Sequence, residues 1–196
     1  MFKYIPLCFI IPFLFLQCKE KGRSSTLHSP ANDTSAFFPV NNFIKEDIKD
    51  IEQNPYHRYK IINNHPGTRD SSTISIEEFL KLANNFLSKD ITTTALKPLF
   101  HESVFHDLTT KSITINYTAI DSSSDIQYIS VLLDDKTNKF KRVFIRSSYT
   151  NGDSLFIEQD NWKAGKSFQI IKSAATKSGI LSEIETTVIW NDKPYH

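Results

Sequence analysis

The chain of 196 residues has little glycine, little cysteine and almost no net charge. Its 5 glycines form no Gly-rich phosphate loop, and the Gly-x-Ser-x-Gly turn of serine hydrolases does not occur. The 23 basic and 22 acidic residues nearly balance, so the sequence lacks the basic excess that is typical of nucleic-acid-binding proteins. We therefore expect no nucleic-acid partner.

The first residues have the layout of an export signal. Lys3 precedes Tyr4 to Leu16, a run without any charged residue. A secretory signal has a positive residue followed by about 7–15 apolar residues, whereas a membrane-spanning helix needs about 20. We predict that residues 1–17 are a signal peptide; an uncleaved membrane anchor is the alternative.

Cys18 follows this apolar run directly. Phe15, Leu16 and Gln17 fit an ordinary cleavage site badly, because such sites end in small residues. They resemble a relaxed lipobox, the motif before the lipidated cysteine of bacterial lipoproteins, and the charged residues 19–21 resemble the export tag of surface-exposed Bacteroidota lipoproteins. The resemblance implies that Cys18 becomes the lipidated first residue. A buried thiol is the alternative reading of Cys18, but its charged neighbours favour water.

Lipidation of Cys18 determines the organisation of the rest of the chain. The other cysteine, Cys8, would leave with the signal peptide, so no disulfide and no free nucleophilic cysteine would remain. Residues 18–36 contain one large apolar side chain, Leu27, and are predicted to be a flexible tether. Residues 37–196 are predicted to form one globular domain.

The first predicted helix lies between Pro39 and Pro55. Apolar residues recur at helical spacing in this segment, and Asn41 or Asn42 is expected to cap its start. A turn-rich segment follows, in which Ile61–Ile62 could form a short strand.

The second predicted helix begins at Ser75 and Glu78, which have the spacing of a capping box. An apolar stripe continues from there to Leu87. A shorter helix is predicted over Thr93–Phe100, limited in length by Pro98.

Alternating apolar and polar residues then predict a series of strands joined by short polar turns. These strands are Ile113–Ala119, Ile126–Leu133, Phe140–Tyr149, Leu155–Gln159, Phe168–Ser173 and Glu183–Trp190. We therefore predict an α+β fold in which N-terminal helices pack on a five- to six-stranded antiparallel meander. Ile126–Leu133 is apolar on both sides, so it is either covered twice or lines a cavity.

Few residues suggest chemistry. His101, His106 and Asp107 could converge on a metal ion. The histidines have an i, i+5 spacing, however, which does not match the i, i+4 spacing of a metal-binding helix. We interpret them as exposed residues flanking core residues Val104 and Phe105. The sequence predicts no catalytic, cofactor-binding or metal-binding residue.

The strongest charge pattern is a basic run on one predicted strand, comprising Lys139, Lys141, Arg142 and Arg146. Such a strand could face anionic lipid head groups or a glycan. The alternative is that Lys141 and Arg142 alternate sides and protect an edge strand from pairing.

Two further features could mark a contact surface. A loop places His57 and His65 near aromatic and basic residues, namely Tyr56, Arg58, Tyr59 and Arg69. Trp162 lies in an apparent turn and is predicted to be exposed, whereas Trp190 is predicted to be core.

The lipobox, tether and helix-plus-meander domain together resemble Bacteroidota lipoproteins, a resemblance that implies a location but no activity. The layout is also similar to that of outer-membrane lipoprotein carriers, whose curved sheet encloses an apolar cavity. We predict a non-enzymatic binding or structural module of the bacterial cell envelope. It would be anchored in the outer membrane through Cys18, with an envelope protein or a glycan as its partner. A carrier or chaperone for an acyl chain or hydrophobic peptide is the alternative.

Overall fold

The computed structural model describes residues 37–65, 67–176 and 178–191, which belong to one compact unit. The predicted signal peptide, Cys18 and the tether lie outside the described residues. The described helices are α1 (Val40–Gln53) and α2 (Ile76–Leu87). The strands are β1 (Tyr59–His65), β2 (Thr68–Thr73), β3 (Phe100–Asp107), β4 (Ser112–Ala119), β5 (Ile126–Asp134), β6 (Phe140–Asn151), β7 (Ser154–Lys163), β8 (Ser167–Thr176) and β9 (Gly179–Ile189).

All nine strands form one antiparallel sheet in the order β2-β1-β9-β8-β7-β6-β5-β4-β3. From β3 to β9 each strand pairs with the next in the chain. The hairpin of β1 and β2 is added beside β9, so β2 and β3 are the two edges of the sheet.

The predicted fold of helices on a five- to six-stranded meander is wrong. Among the described residues the sheet has nine strands and makes up most of the domain, alongside two α-helices, and β1 and β2 lie between those helices in the chain. The hairpin of β1 and β2 was not predicted, because Thr68–Thr73 contains no apolar residue and is held by backbone pairing to β1. The antiparallel pairing of the strands is confirmed.

The two long helices lie where apolar spacing placed them, but their ends are held differently. Ser75 Oγ accepts a hydrogen bond from the Glu78 amide at 3.2 Å, as predicted, whereas the Glu78 carboxylate pairs with Lys60 on β1. Asn41 does not cap α1; its Nδ2 donates to the Leu87 carbonyl oxygen at 2.9 Å. Asn41 therefore ties the start of α1 to the end of α2.

The predicted third helix is reduced to a short 3₁₀ turn at Lys97–Leu99. Pro98 has no amide proton to donate and fixes its own φ, so the chain does not continue as a helix. It enters β3 at Phe100 instead.

Both helices pack on one face of the sheet, which we call the helix-side face; the opposite face is the outer face. Aromatic rings fill the layer between: Phe86 lies 5.2 Å from Trp162, and Phe79 lies 5.6 Å from Phe168, between ring centroids. A cavity of about 10 Å³ remains beside this layer, near Ile129 and Ile145, which is about the space of one water molecule.

The prediction that Trp162 is exposed is wrong, and the prediction that Trp190 is core is confirmed. Trp162 lies within β7 and is fully buried, with its Nε1 donating to Asp47 Oδ2 of α1 at 2.7 Å. Gly165 donates its amide to the same oxygen at 2.9 Å. Burial raises the pKa of Asp47, although these two hydrogen bonds oppose the shift.

Candidate functional site

A β-bulge interrupts the strand that carries the basic run. Leu133 pairs with Phe140 and Leu132 pairs with Arg142, so Lys141 is an extra residue between them. An extra residue breaks the regular alternation of side chains and redirects them. Lys141 and Arg142 line the same cleft. The alternative that these residues protect an edge strand is wrong, because β6 lies between β5 and β7.

We call this opening the basic cleft. It has a volume of about 560 Å³ and combines four cations, one carboxylate, a threonine and two apolar side chains. The lining residues are Leu132, Asp134, Thr137, Lys139, Phe140, Lys141, Arg142 and Lys163.

Strand pairing determines which basic residues enter the cleft. Lys163 comes from β7 and lies opposite Arg142 in the sheet, which brings together two cations that are distant in sequence. Arg146 belongs to the predicted basic run but lies further along β6, opposite Gln159, and does not line the cleft.

Asp134 offsets part of the positive charge. Its Oδ2 lies 3.0 Å from Lys141 Nζ, and its Oδ1 accepts from the Thr137 amide at 3.0 Å and the Thr137 hydroxyl at 2.9 Å. The ammonium of Lys141 and these hydrogen bonds hold the pKa of Asp134 well below its usual range. Asp134 therefore neutralises Lys141 and leaves three cations in excess.

The apolar part of the cleft is continuous with the core. Leu132 is half-buried, and Phe140 is buried beneath the rings of Phe43 and Phe38, at 5.5 and 6.2 Å. Leu132 belongs to the strand that was predicted to be covered twice or to line a cavity, and it lines this open cleft. Cations beside an apolar wall suit a ligand that joins an anionic group to an apolar portion.

A second charged cluster joins the end of α2 to β7. Lys89 Nζ contacts Asp160 and lies 2.6 Å from Glu158 Oε1. Asn85 Nδ2 donates to both carboxylates, at 2.5 Å to Glu158 and 3.2 Å to Asp160. These contacts fasten the end of α2 to the sheet beside the packing of Phe86 on Trp162.

The two carboxylates of this cluster have different pKa values. Burial raises the pKa of Asp160 to about 7, against the attraction of Lys89. Burial also opposes ionisation of Glu158, but Lys89 and Asn85 outweigh it and lower the Glu158 pKa. Separated pKa values are typical of acid–base pairs, yet Asp160 has no exposed surface on which to meet a substrate. We interpret the cluster as structural.

A shallower groove opens on the helix-side face near Glu158. Tyr149 and Phe156 stack there with ring centroids 4.9 Å apart, and the groove has a volume of about 220 Å³. Ile184 and Lys172 also line this groove.

The histidines considered for metal binding lie on β3, and the described residues contain no group of three or more His, Cys, Asp or Glu side chains suited to a metal ion. His106 Nε2 lies 3.7 Å from Asp135 Oδ2, and Asp107 accepts from the amides of the following turn. The interpretation of Val104 and Phe105 as core is wrong, because each is 62% exposed.

The aromatic, basic and histidine residues of the predicted contact loop do not form a single site. Tyr56 donates to Asp50 Oδ2 at 2.9 Å, and Arg58 donates to the Tyr56 carbonyl oxygen at 3.2 Å. His57 precedes β1 and His65 ends it, so the length of that strand separates the two histidines; Tyr59 begins β1 and Arg69 belongs to β2.

Comparisons with known proteins give no family. No protein-family model matches the chain, and no curated protein and no solved structure resembles it significantly. None of the helices in the described part of the chain is long and apolar enough to cross a membrane.

Proposed function

We propose that the protein is a non-enzymatic binding module, held at the bacterial outer membrane by a lipid on Cys18, whose basic cleft binds the head group of an anionic lipid. The observation that carries this proposal is the cluster of three cations beside an apolar wall: the bulge inserts Lys141 next to Arg142, and the pairing of β6 with β7 sets Lys163 opposite Arg142. The described residues offer no ion-pair partner to Lys139, Arg142 or Lys163.

The entry point of the chain supports the same proposal. Phe38, near the start of the described residues, stacks on Phe43 and lies next to Phe140 of the cleft. The predicted tether of 18 residues between Cys18 and the domain would have a root-mean-square span of about 25 Å. A lipid on Cys18 would then keep the basic cleft within reach of the membrane surface.

The number of cations in the cleft determines the expected free energy of binding to an anionic membrane. Each Lys or Arg near an anionic membrane surface contributes about 1 kcal/mol. We assign no reaction to the cleft, because its one carboxylate, Asp134, is engaged by Lys141 and Thr137.

The second candidate is a carrier or chaperone for an acyl chain or hydrophobic peptide. An enclosed site for such a ligand has a volume of about 300–1,000 Å³, far more than the cavity of about 10 Å³ beside the helices. The observation that favours this candidate is the groove at Tyr149 and Phe156, where stacked rings could cover part of a chain.

Vesicle binding tests the cleft. The chain from residue 18 onward, with Cys18→Ser, is mixed with phosphatidylcholine vesicles that do or do not contain phosphatidylglycerol. We expect binding only with phosphatidylglycerol. Changing Arg142→Gln together with Lys163→Gln should weaken it about 30-fold, because two contributions of about 1 kcal/mol are lost.

The matched control removes the same charge outside the cleft. Lys136→Gln together with Arg146→Gln changes two exposed cations of the same hairpin that do not line the cleft. The control should bind within a fewfold of the parent. Equal weakening of both double variants would show that net charge, and not the basic cleft, binds the vesicles.

A further inference from the structure

The two edges of the sheet differ in a way that the basic cleft does not explain. β2 is polar throughout, and its six residues are all exposed. β3 carries exposed apolar side chains on both faces, with Val104 and Phe105 each 62% exposed, and Leu108 just beyond it is 75% exposed. Exposed edge strands are normally protected from further pairing by lysine, proline or a bulge. The sequence of β3, FHESVFHD, contains neither lysine nor proline, and its pairing with β4 shows no bulge.

The backbone of β3 is ready to accept another strand. Just before β3, Leu99 accepts a hydrogen bond from the Ile120 amide, which identifies 99 and 120 as a hydrogen-bonded pair. Hydrogen-bonded pairs alternate along an antiparallel ladder, so Glu102, Val104 and His106 direct their amide and carbonyl groups away from β4. Among the described residues, β3 pairs with β4 alone.

We propose that β3 pairs antiparallel with β3 of a second copy of this chain, with the two Val104 residues opposite each other on a two-fold axis. The two nine-stranded sheets become one continuous sheet, with all four helices on the same side. This inference does not depend on the proposed function.

Charge complementarity selects the second copy as the partner. With Val104 on the axis, Glu102 of each copy lies opposite His106 of the other, and His101 lies opposite Asp107. A histidine ring N–H can donate to a carboxylate whether the ring is neutral or protonated. Every ionisable residue of β3 thereby meets an opposite or complementary group, and opposite partners in a cross-strand pair are stabilising.

Neighbouring registers lose this match. With Ser103 on the axis, Glu102 would lie opposite Val104 and His101 opposite Phe105. With Phe105 on the axis, Val104 would lie opposite His106.

The remaining charged neighbours of β3 are compatible with the pairing. Within its own chain, His106 lies 3.7 Å from Asp135, so the ring would lie between Asp135 and Glu102 of the second copy. Glu102 lies opposite Tyr117 of β4. The Tyr117 hydroxyl accepts from the Phe38 amide at 2.8 Å and donates to the Glu102 carboxylate.

Sedimentation velocity of the chain from residue 18 onward, with Cys18→Ser, tests the association. Samples should extend to about 500 µM, because interfaces smaller than about 1,200 Å² are weak. We expect a concentration-dependent dimer that Val104→Lys abolishes, since two ammonium groups would meet on the axis. Ser71→Lys places the same residue on the exposed edge strand β2 and should leave the dimer unchanged.

A crosslink tests the register. In the same cysteine-free background, Val104→Cys places two sulfurs on a hydrogen-bonded pair, whose Cα atoms lie about 5.5 Å apart and within disulfide range. Phe105→Cys places its two cysteines more than about 7 Å apart, since each lies opposite Ser103. We expect mild oxidation to crosslink the first variant and not the second. Equal crosslinking of both would overturn the proposed register.

Two other outcomes would overturn the proposal as a whole. A chain that remains monomeric at every concentration, with the amides of Val104 and His106 protected from hydrogen exchange, would show that a segment of the same chain covers β3. A monomer with unprotected amides would show that the edge does not recognise a second copy.

Discussion

At Lys89 a single ammonium group contacts two carboxylates that burial would otherwise penalise. Glu158 and Asp160 lie on the same side of β7, and both contact Lys89 and Asn85. Removing one partner of a buried ion pair usually costs more stability than the pair itself contributes, because a charge is left behind without compensation. The cluster is therefore a point at which one substitution should have a large effect.

Lys89→Met should lower the free energy of unfolding by about 3 kcal/mol at pH 8. The loss should be smaller at pH 5, because a buried carboxylate without its ammonium partner has a raised pKa and takes up a proton. Chemical denaturation at the two pH values measures both effects.

Lys172→Met is the matched control, since Lys172 also contacts Glu158, at 3.3 Å, but is largely exposed. Its removal should change the free energy of unfolding by less than about 1 kcal/mol. Equal losses for the two variants would show that the burial of Lys89 does not matter.

At the scale of elements, hydrophobic spacing predicted the structure well wherever one face of an element is buried. α1, α2 and the strands from β4 to β9 all have this property. The possible short strand at Ile61–Ile62 lies within β1. Its partner β2 was missed because polar residues leave no such period, and β3 was missed because its apolar residues are exposed on both faces.

The basic cleft was predictable only in part, because strand register and pairing form it and local sequence patterns do not reveal them. The run of Lys139, Lys141 and Arg142 is visible in the sequence. The bulge that turns Lys141 and Arg142 into one cleft is not, because it depends on the register between β5 and β6. Lys163 joins them only through strand pairing. Trp162 was misplaced because polar residues and Gly165 around it suggest a turn, while its ring is held in the core by Asp47.

The start of α2 allows a test of a single element. Ser75→Ala should lower the free energy of unfolding by about 1 kcal/mol, because the Glu78 amide loses its acceptor. Ser75→Gly should cost only a few tenths of a kcal/mol, since glycine is tolerated at this position. Thermal unfolding of both variants separates a capping role from the loss of a side chain: if glycine is as damaging as alanine, Ser75 does not act as a cap.

At the scale of the whole molecule, the proposed lipid anchor would be followed by a domain with two proposed contact surfaces, the basic cleft and the edge strand β3. The basic cleft lies at the β5–β6 hairpin, and β3 is the nearer edge of the same sheet, separated from β5 by β4 alone. Membrane anchorage would raise the local concentration of the domain, so a weak pairing through β3 would gain from the same lipid that brings the cleft to the surface.

The anchor itself is tested by metabolic labelling with a fatty acid in the native host. Cys18→Ser should abolish the label, because the sulfur that would carry the lipid is gone, whereas Cys8→Ser should leave it unchanged, since Cys8 would be removed with residues 1–17. A label that survives Cys18→Ser would remove the basis for placing the protein at the outer membrane.

The packing of Trp162 against Trp190, with ring centroids 5.3 Å apart, has a practical consequence. These are the only 2 indoles in the chain, both are buried, and neither lines the basic cleft or β3. Native emission should therefore be blue-shifted, and a red shift should report water entering the layer beneath the helices. Intrinsic fluorescence can thus follow undocking of α1 and α2, while an optical signal for ligand or dimer requires an added dye.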